Sequence, residues 1–84
     1  MSACVTQEFD NVTQATFNCL VQMASSYGIP ISGNSGEASK DGFTVRWAYD
    51  PTAQTLQLQC MDSPWWAPCS TINGKIHDLV DGCR

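Results

Sequence analysis

Phe43, Val45, Trp47 and Tyr49 alternate with Thr44, Arg46, Ala48 and Asp50, and after Asp50-Pro51-Thr52-Ala53 a second run alternates Leu56, Leu58 and Cys60 with Gln57 and Gln59. An apolar period of two on both sides of a turn commits the chain to an antiparallel β-hairpin. Pro51 suits the first central position of a type I turn with Asp50 before it. A four-residue loop pairs Trp47 with Leu56, Val45 with Leu58 and Phe43 with Cys60, which sets all six on one face. Thr44, Arg46, Gln57 and Gln59 fall on the other, so the sheet is expected to be packed on one side and wet on the other.

A lone hairpin is marginal in water and needs cover. Two segments supply it. From about Asp10 to Tyr27, Val12, Thr16, Cys19, Leu20, Met23 and Tyr27 recur at helical spacing, widened by Phe17, Val21 and Ala24. Asp10 or Asn11 is the expected cap, and Gly28 followed by Ile29-Pro30 the stop. Near the C-terminus, Ile72, Ile76, Leu79, Val80 and Cys83 form a second stripe that Ser70 or Thr71 can cap. Asn73-Gly74 argues against this helix, as that pair favours a hairpin turn, but the five apolar positions keep the helical period. The expected fold is α+β in the order helix, hairpin, helix (α-β-β-α), with both helices on the apolar face of a small antiparallel sheet.

The rest of the chain reads as connection. Residues 1–9 form a flexible N-terminal tail, and residues 28–42 a Gly/Ser-rich loop containing Gly28, Gly33, Gly36 and Gly42. Ile29 and Ile31 leave room for a short third strand near residues 29–32, which Pro30 confines to an edge. A chain of 84 residues is a single small domain with a thin core. At 43 % hydrophobic and 14 % charged it belongs to the folding class rather than the disordered one.

Net charge is −4, and Lys40, Arg46, Lys75 and Arg84 are dispersed, so nucleic acid and anionic membrane surfaces are poor partners. No apolar run reaches the roughly 18 residues of a spanning helix. The first ten residues have neither a basic n-region nor an apolar h-region, which leads to a cytoplasmic expectation.

Cys19, Cys60 and Cys83 lie on predicted apolar faces and read as small buried hydrophobes. A Cys19–Cys83 disulfide is compatible with the convergence of those faces, although connectivity is not legible in sequence. Cys60, Cys69, His77 and Cys83 have the ligand types of a zinc site, but no pair is within the usual two to four residues, so neither metal nor cofactor is expected.

Function points to Pro64-Trp65-Trp66-Ala67-Pro68-Cys69, which holds two indoles, two prolines and a thiol between the last strand and the last helix. In an extended segment neighbouring side chains point opposite ways, so one indole reaching the core turns the other outward. Cys69, just before a helix N-terminus, is the candidate reactive thiol. Trp66-Ala67-Pro68-Cys69 resembles in part the tryptophan-flanked, proline-containing active site of thioredoxin-like proteins, but the C-x-x-C pair and the βαβ pattern are absent, so no family follows. His77, eight residues beyond Cys69, is about 12 Å away along a helix, too far to act as its base.

The expected function is therefore a non-enzymatic intracellular protein-binding or accessory domain that uses Trp65 and Trp66. The alternatives are a thiol-dependent redox factor acting through Cys69, and a structural homodimer formed by pairing free hairpin edges.

Overall fold

Six elements follow one another in the computed structural model, which describes residues 3–84: β1 (Gln7–Phe9), α1 (Gln14–Ser26), β2 (Ser35–Lys40), β3 (Phe43–Asp50), β4 (Thr55–Asp62) and α2 (Cys69–Cys83). The strands form one antiparallel sheet in the order β1-β4-β3-β2. The class is α+β, with four strands where the sequence led us to expect two.

The hairpin is β3–β4, in a register two residues from the expected one. Tyr49 faces Leu56, Trp47 faces Leu58 and Val45 faces Cys60. Asp50 stays in the strand opposite Thr55, and its Oδ1 accepts hydrogen bonds from the backbone N–H groups of Thr52 and Ala53 at 3.0 and 3.2 Å. That side-chain turn moves the loop to residues 51–54, closed by Gln54 in the left-handed region at φ 56°. Because strand side chains alternate with a period of two, the shift leaves every side chain on its expected face. At the far end the ladder slips by one between Thr44 and Val45.

Both additional strands come from segments that composition marks as connections. Ser35–Lys40 lacks apolar alternation, yet it pairs along β3 from Lys40↔Phe43 to Ser35↔Ala48. The buried Trp47 ring holds it down: indole Nε1 donates to Gly33 O at 3.2 Å, and a Cβ on Gly36 would lie 2.8 Å from Trp47 Cζ2. Glycine is therefore what lets the strand pass under the indole. Residues 29–32 form no strand, as Pro30 removes a donor and the pairing begins five residues later.

At the other edge Gln7–Phe9 pair with β4, and Cys4 N–H donates to Cys60 O at 2.9 Å. Residues 3–9 of the expected tail are thus tied to the sheet; residues 1–2 lie outside the described part of the chain. With β1 on β4 opposite residues 56–58 and β2 along β3, the outer strands of the sheet are β1 and β2 rather than the two strands of the hairpin.

The core lies on one face of the sheet. Phe9, Trp47, Tyr49 and Leu56 from the strands meet Val12, Phe17 and Leu20 from α1 and its approach, and Val80 from α2. Phe17 stacks on Tyr49 with ring centroids 4.3 Å apart, and the Tyr49 hydroxyl donates to Val12 O at 2.8 Å. The outer face carries polar pairs: Arg46 with Glu37 at 3.1 Å, and Gln57 with Glu8 at 3.0 Å.

Helix ends differ from expectation by a few residues. Asn11 sits at φ 58° and turns the chain out of β1, leaving Thr13 as the α1 cap, with Oγ1 accepting from Thr16 N–H at 3.2 Å. Gly28, at φ 82°, ends α1 as expected, with Ile29 N–H returning to Ala24 O. Helix α2 starts at Cys69 after Pro68, without a side-chain cap, and runs through Asn73-Gly74.

Two disulfides staple the domain: Cys4–Cys69 joins the N-terminal segment to the start of α2, and Cys19–Cys83 joins α1 to the end of α2. Among the described residues no helix is long and apolar enough to cross a membrane.

Candidate functional site

The tryptophan loop is a turn, not an extended segment. Ala67 N–H donates to Pro64 O at 3.0 Å, so the two indoles do not alternate between core and solvent. Trp65 is 84 % exposed and Trp66 62 %. Neither closes the core.

Both ends of the loop are anchored. Ser63 is buried, with its N–H on Asp62 Oδ1 at 2.9 Å, and Ala67 is buried between the two prolines. Pro64 Cγ lies 3.1 Å from where a Cβ on Gly42 would stand, so this proline rests on the β2–β3 turn. Beyond the loop, the Cys4–Cys69 bond fixes the start of α2. Two large aromatic surfaces are thus presented from a stiff support, which lowers the ordering cost of contact.

Cys69 is consequently not a free thiol. Sequence reasoning set it apart because it precedes a helix, but an N-terminal partner 65 residues away leaves no mark in local spacing. Cys60 is the free cysteine among the described residues and is fully buried, its Sγ donating to Asp62 O at 3.1 Å. Burial pushes this thiol above its ordinary value and the Asp62 carboxylate adds to the rise, while the backbone hydrogen bond opposes it. A thiol held protonated in an apolar wall is a packing residue rather than a nucleophile.

His77 is not linked to either sulfur. Its Nε2 lies 2.8 Å from Gln7 Oε1 and its ring meets Phe9 edge-on at 4.9 Å, so it fastens α2 to β1. Of the four residues with zinc-ligand chemistry, Cys69 and Cys83 are engaged in disulfides with other cysteines.

Sequence reasoning missed a cavity beside the loop. It has a volume of about 440 Å³ and lies between α1, the Ile29–Ile31 segment, the inner sheet face and α2. Its walls are apolar, with Leu20, Val45, Trp47, Leu58, Ile76 and Leu79 among them. Contacts trace its rim. Trp66 meets Phe43 edge-on at 5.8 Å, and Phe43 pairs with Lys40 across the β2–β3 turn. The Lys40 side chain passes over Gly28, where an added Cβ would lie 2.9 Å from Cε, and the neighbouring Tyr27 ring has Lys75 Nζ 5.4 Å from its centroid. Trp66 therefore belongs both to the exposed loop and to the cavity lining. The sequence signal was slight: Tyr27 ends the α1 stripe, and Lys40 and Lys75 are two of only four cationic residues.

Comparison with protein-family models, curated proteins and solved structures finds no match.

Proposed function

We propose that the chain is a non-enzymatic binding or accessory domain that presents Pro64–Cys69 to a protein partner, with Trp65 and Trp66 as anchors. The supporting observation is the exposure of both indoles, 84 % and 62 %, on a loop pinned by two prolines, a buried serine and a disulfide. Tryptophan is the residue type most often found at the energetic centre of interfaces, because a large rigid ring buries much area at little entropic cost. Net charge −4 directs the choice towards a neutral or basic partner surface.

A pull-down with the oxidised domain as bait tests this reading. Trp65→Ala with Trp66→Ala is expected to lose a partner that the parent chain captures, with the circular dichroism spectrum unchanged. Capture by both proteins alike would refute it.

The thiol-dependent alternative through Cys69 requires the Cys4–Cys69 bond to open. It predicts the reverse pattern, loss on Cys4→Ala with Cys69→Ala and retention in the tryptophan variant. The alternative of a homodimer by edge pairing passes to the sheet edges that β1 and β2 now form beside the hairpin, and a strict monomer in sedimentation at high micromolar concentration would remove it. As to compartment, disulfides persist in oxidising surroundings and are rare in the cytosol, so the two bonds favour an oxidising address over the cytoplasmic expectation. Alkylation of unfolded chains from freshly quenched cells distinguishes them: one modified cysteine in the first case, five in the second.

A further inference from the structure

We propose that the cavity between the helices and the sheet binds a free long-chain carboxylate, with the hydrocarbon chain inside and the carboxylate at the corner where Lys40 and Lys75 converge. Three observations lead there. A volume of about 440 Å³ falls in the range of roughly 300 to 1,000 Å³ typical of small-molecule sites. The polar side chains of the lining, those of Tyr27, Lys40, Asp41, Thr71 and Lys75, are all exposed and hence at the rim. Deeper in, Trp47 Nε1 is already bonded to Gly33 O and Cys60 Sγ to Asp62 O. A ligand body in this space finds no free polar partner, which selects hydrocarbon over sugar, nucleoside or peptide.

The rim selects the head group. Lys40 runs over Gly28 and Lys75 Nζ stands over the ring of Tyr27, so two ammonium groups from β2 and α2 reach adjacent residues at the end of α1. Neither makes an ion pair with a carboxylate among the described residues, where the pair present is Arg46 with Glu37. Asp41 also lines the cavity, leaving two positive charges against one negative. The overall charge of −4 is no obstacle, because screening confines electrostatics to about 8 Å at physiological salt and the local corner decides. An amphipathic monoanion satisfies both the walls and the rim. A neutral lipid leaves the lysines unused, and a cationic amphiphile is repelled by them.

Calorimetric titration of the oxidised domain with dodecanoate, dodecanol and dodecyltrimethylammonium, each below its aggregation concentration, tests the proposal. Saturable one-to-one binding of dodecanoate is expected, about three- to tenfold tighter than dodecanol, the increment of two exposed ion pairs. The cation should bind more weakly than either. Each methylene removed should weaken the acid about fourfold. Lys40→Gln with Lys75→Gln should abolish the preference for acid over alcohol, whereas Arg46→Gln, on the outer face, should preserve it.

Location is tested by Ala24→Phe, which fills the cavity from α1 and should abolish binding. Should that variant not fold, quenching of Trp47 by a bromine-labelled fatty acid in the Trp65→Phe, Trp66→Phe background replaces it. Equal affinity for acid and alcohol, an unchanged preference in the double lysine variant, dodecanoate binding in folded Ala24→Phe, or an unquenched Trp47 would each overturn the proposal. Co-sedimentation with phosphatidylglycerol vesicles would also overturn it, in favour of a membrane lipid. Because these assays use purified domain alone, their outcome is independent of partner capture by the tryptophan loop.

Discussion

Removing the Cys19–Cys83 bond, by Cys19→Ala with Cys83→Ala, should lower stability by about 3.5 kcal/mol, and the figure follows from how the two bonds interleave. Considered alone, a bond between residues 64 apart closes a loop worth about 4 kcal/mol in lost denatured-state entropy. The chain is already linked between Cys4 and Cys69, so the shortest covalent path from Cys19 to Cys83 runs back to Cys4, across that bond and on from Cys69. This ring contains about 30 residues, for which the same relation gives about 3.5 kcal/mol. By symmetry the first bond removed, whichever it is, costs about 3.5 kcal/mol, and the second costs about 4. Against a total of about 4 to 13 kcal/mol for a domain of this size, the chain lacking both bonds loses about 7.5 kcal/mol, which is more than half of the stability at the upper end of that range and all of it at the lower. Urea denaturation followed by tryptophan fluorescence measures the effect. With a slope of about 1 to 1.5 kcal/mol per molar, the midpoint should fall by about 2 to 3.5 M for either single removal. The reasoning fails if the midpoint moves by less than 0.5 M, roughly a quarter of the smallest expected shift.

Three other substitutions probe the packing. Gly74 lies inside α2 with nothing within 4 Å of an added Cβ, so Gly74→Ala should stabilise by about 0.5 to 1 kcal/mol, visible as a rise in Tm of several degrees. Gly36→Ala should do the opposite and cost about 1 to 3 kcal/mol in a urea titration, as its Cβ would meet the buried Trp47 ring at 2.8 Å. For Cys60, the folded thiol titrates above its ordinary 9.0 because of burial, so its contribution is complete below the unfolded value and is lost as pH rises towards the folded one. The stability gap between the parent chain and Cys60→Ala should therefore shrink above about pH 9 in chemical denaturation, and a pH-independent gap would contradict this.

The hairpin and both helices were legible because each carries its own period, and Gly28 marked the end of α1 as expected. The edge strands were not, since what makes Ser35–Lys40 a strand is the Trp47 indole above it and the free ladder of β3 beside it, neither of which is local. Gln7–Phe9 likewise becomes a strand because Cys4 is bonded to Cys69 and β4 has an open edge. The indoles of the candidate site were visible in sequence as unusual residues, but their exposure depends on the turn at Pro64–Ala67. The cavity left almost no trace, as its wall residues look like core positions until the helices are set over the sheet.

The covalent wiring also fixes an order of events during biosynthesis. Cys4 and Cys19 leave the ribosome first and meet each other long before their true partners exist, since Cys69 and Cys83 follow them by 65 and 64 residues. β1 waits in the same way for β4, while β2, β3 and β4 form a meander of neighbours that can assemble early. A nascent chain in oxidising surroundings thus has only wrong thiol partners until α2 begins with Cys69, and Cys19 has none of its own until that helix ends at Cys83. Its native bonds come after the rest of the fold has been synthesised, and any pair formed sooner must be reshuffled to reach them.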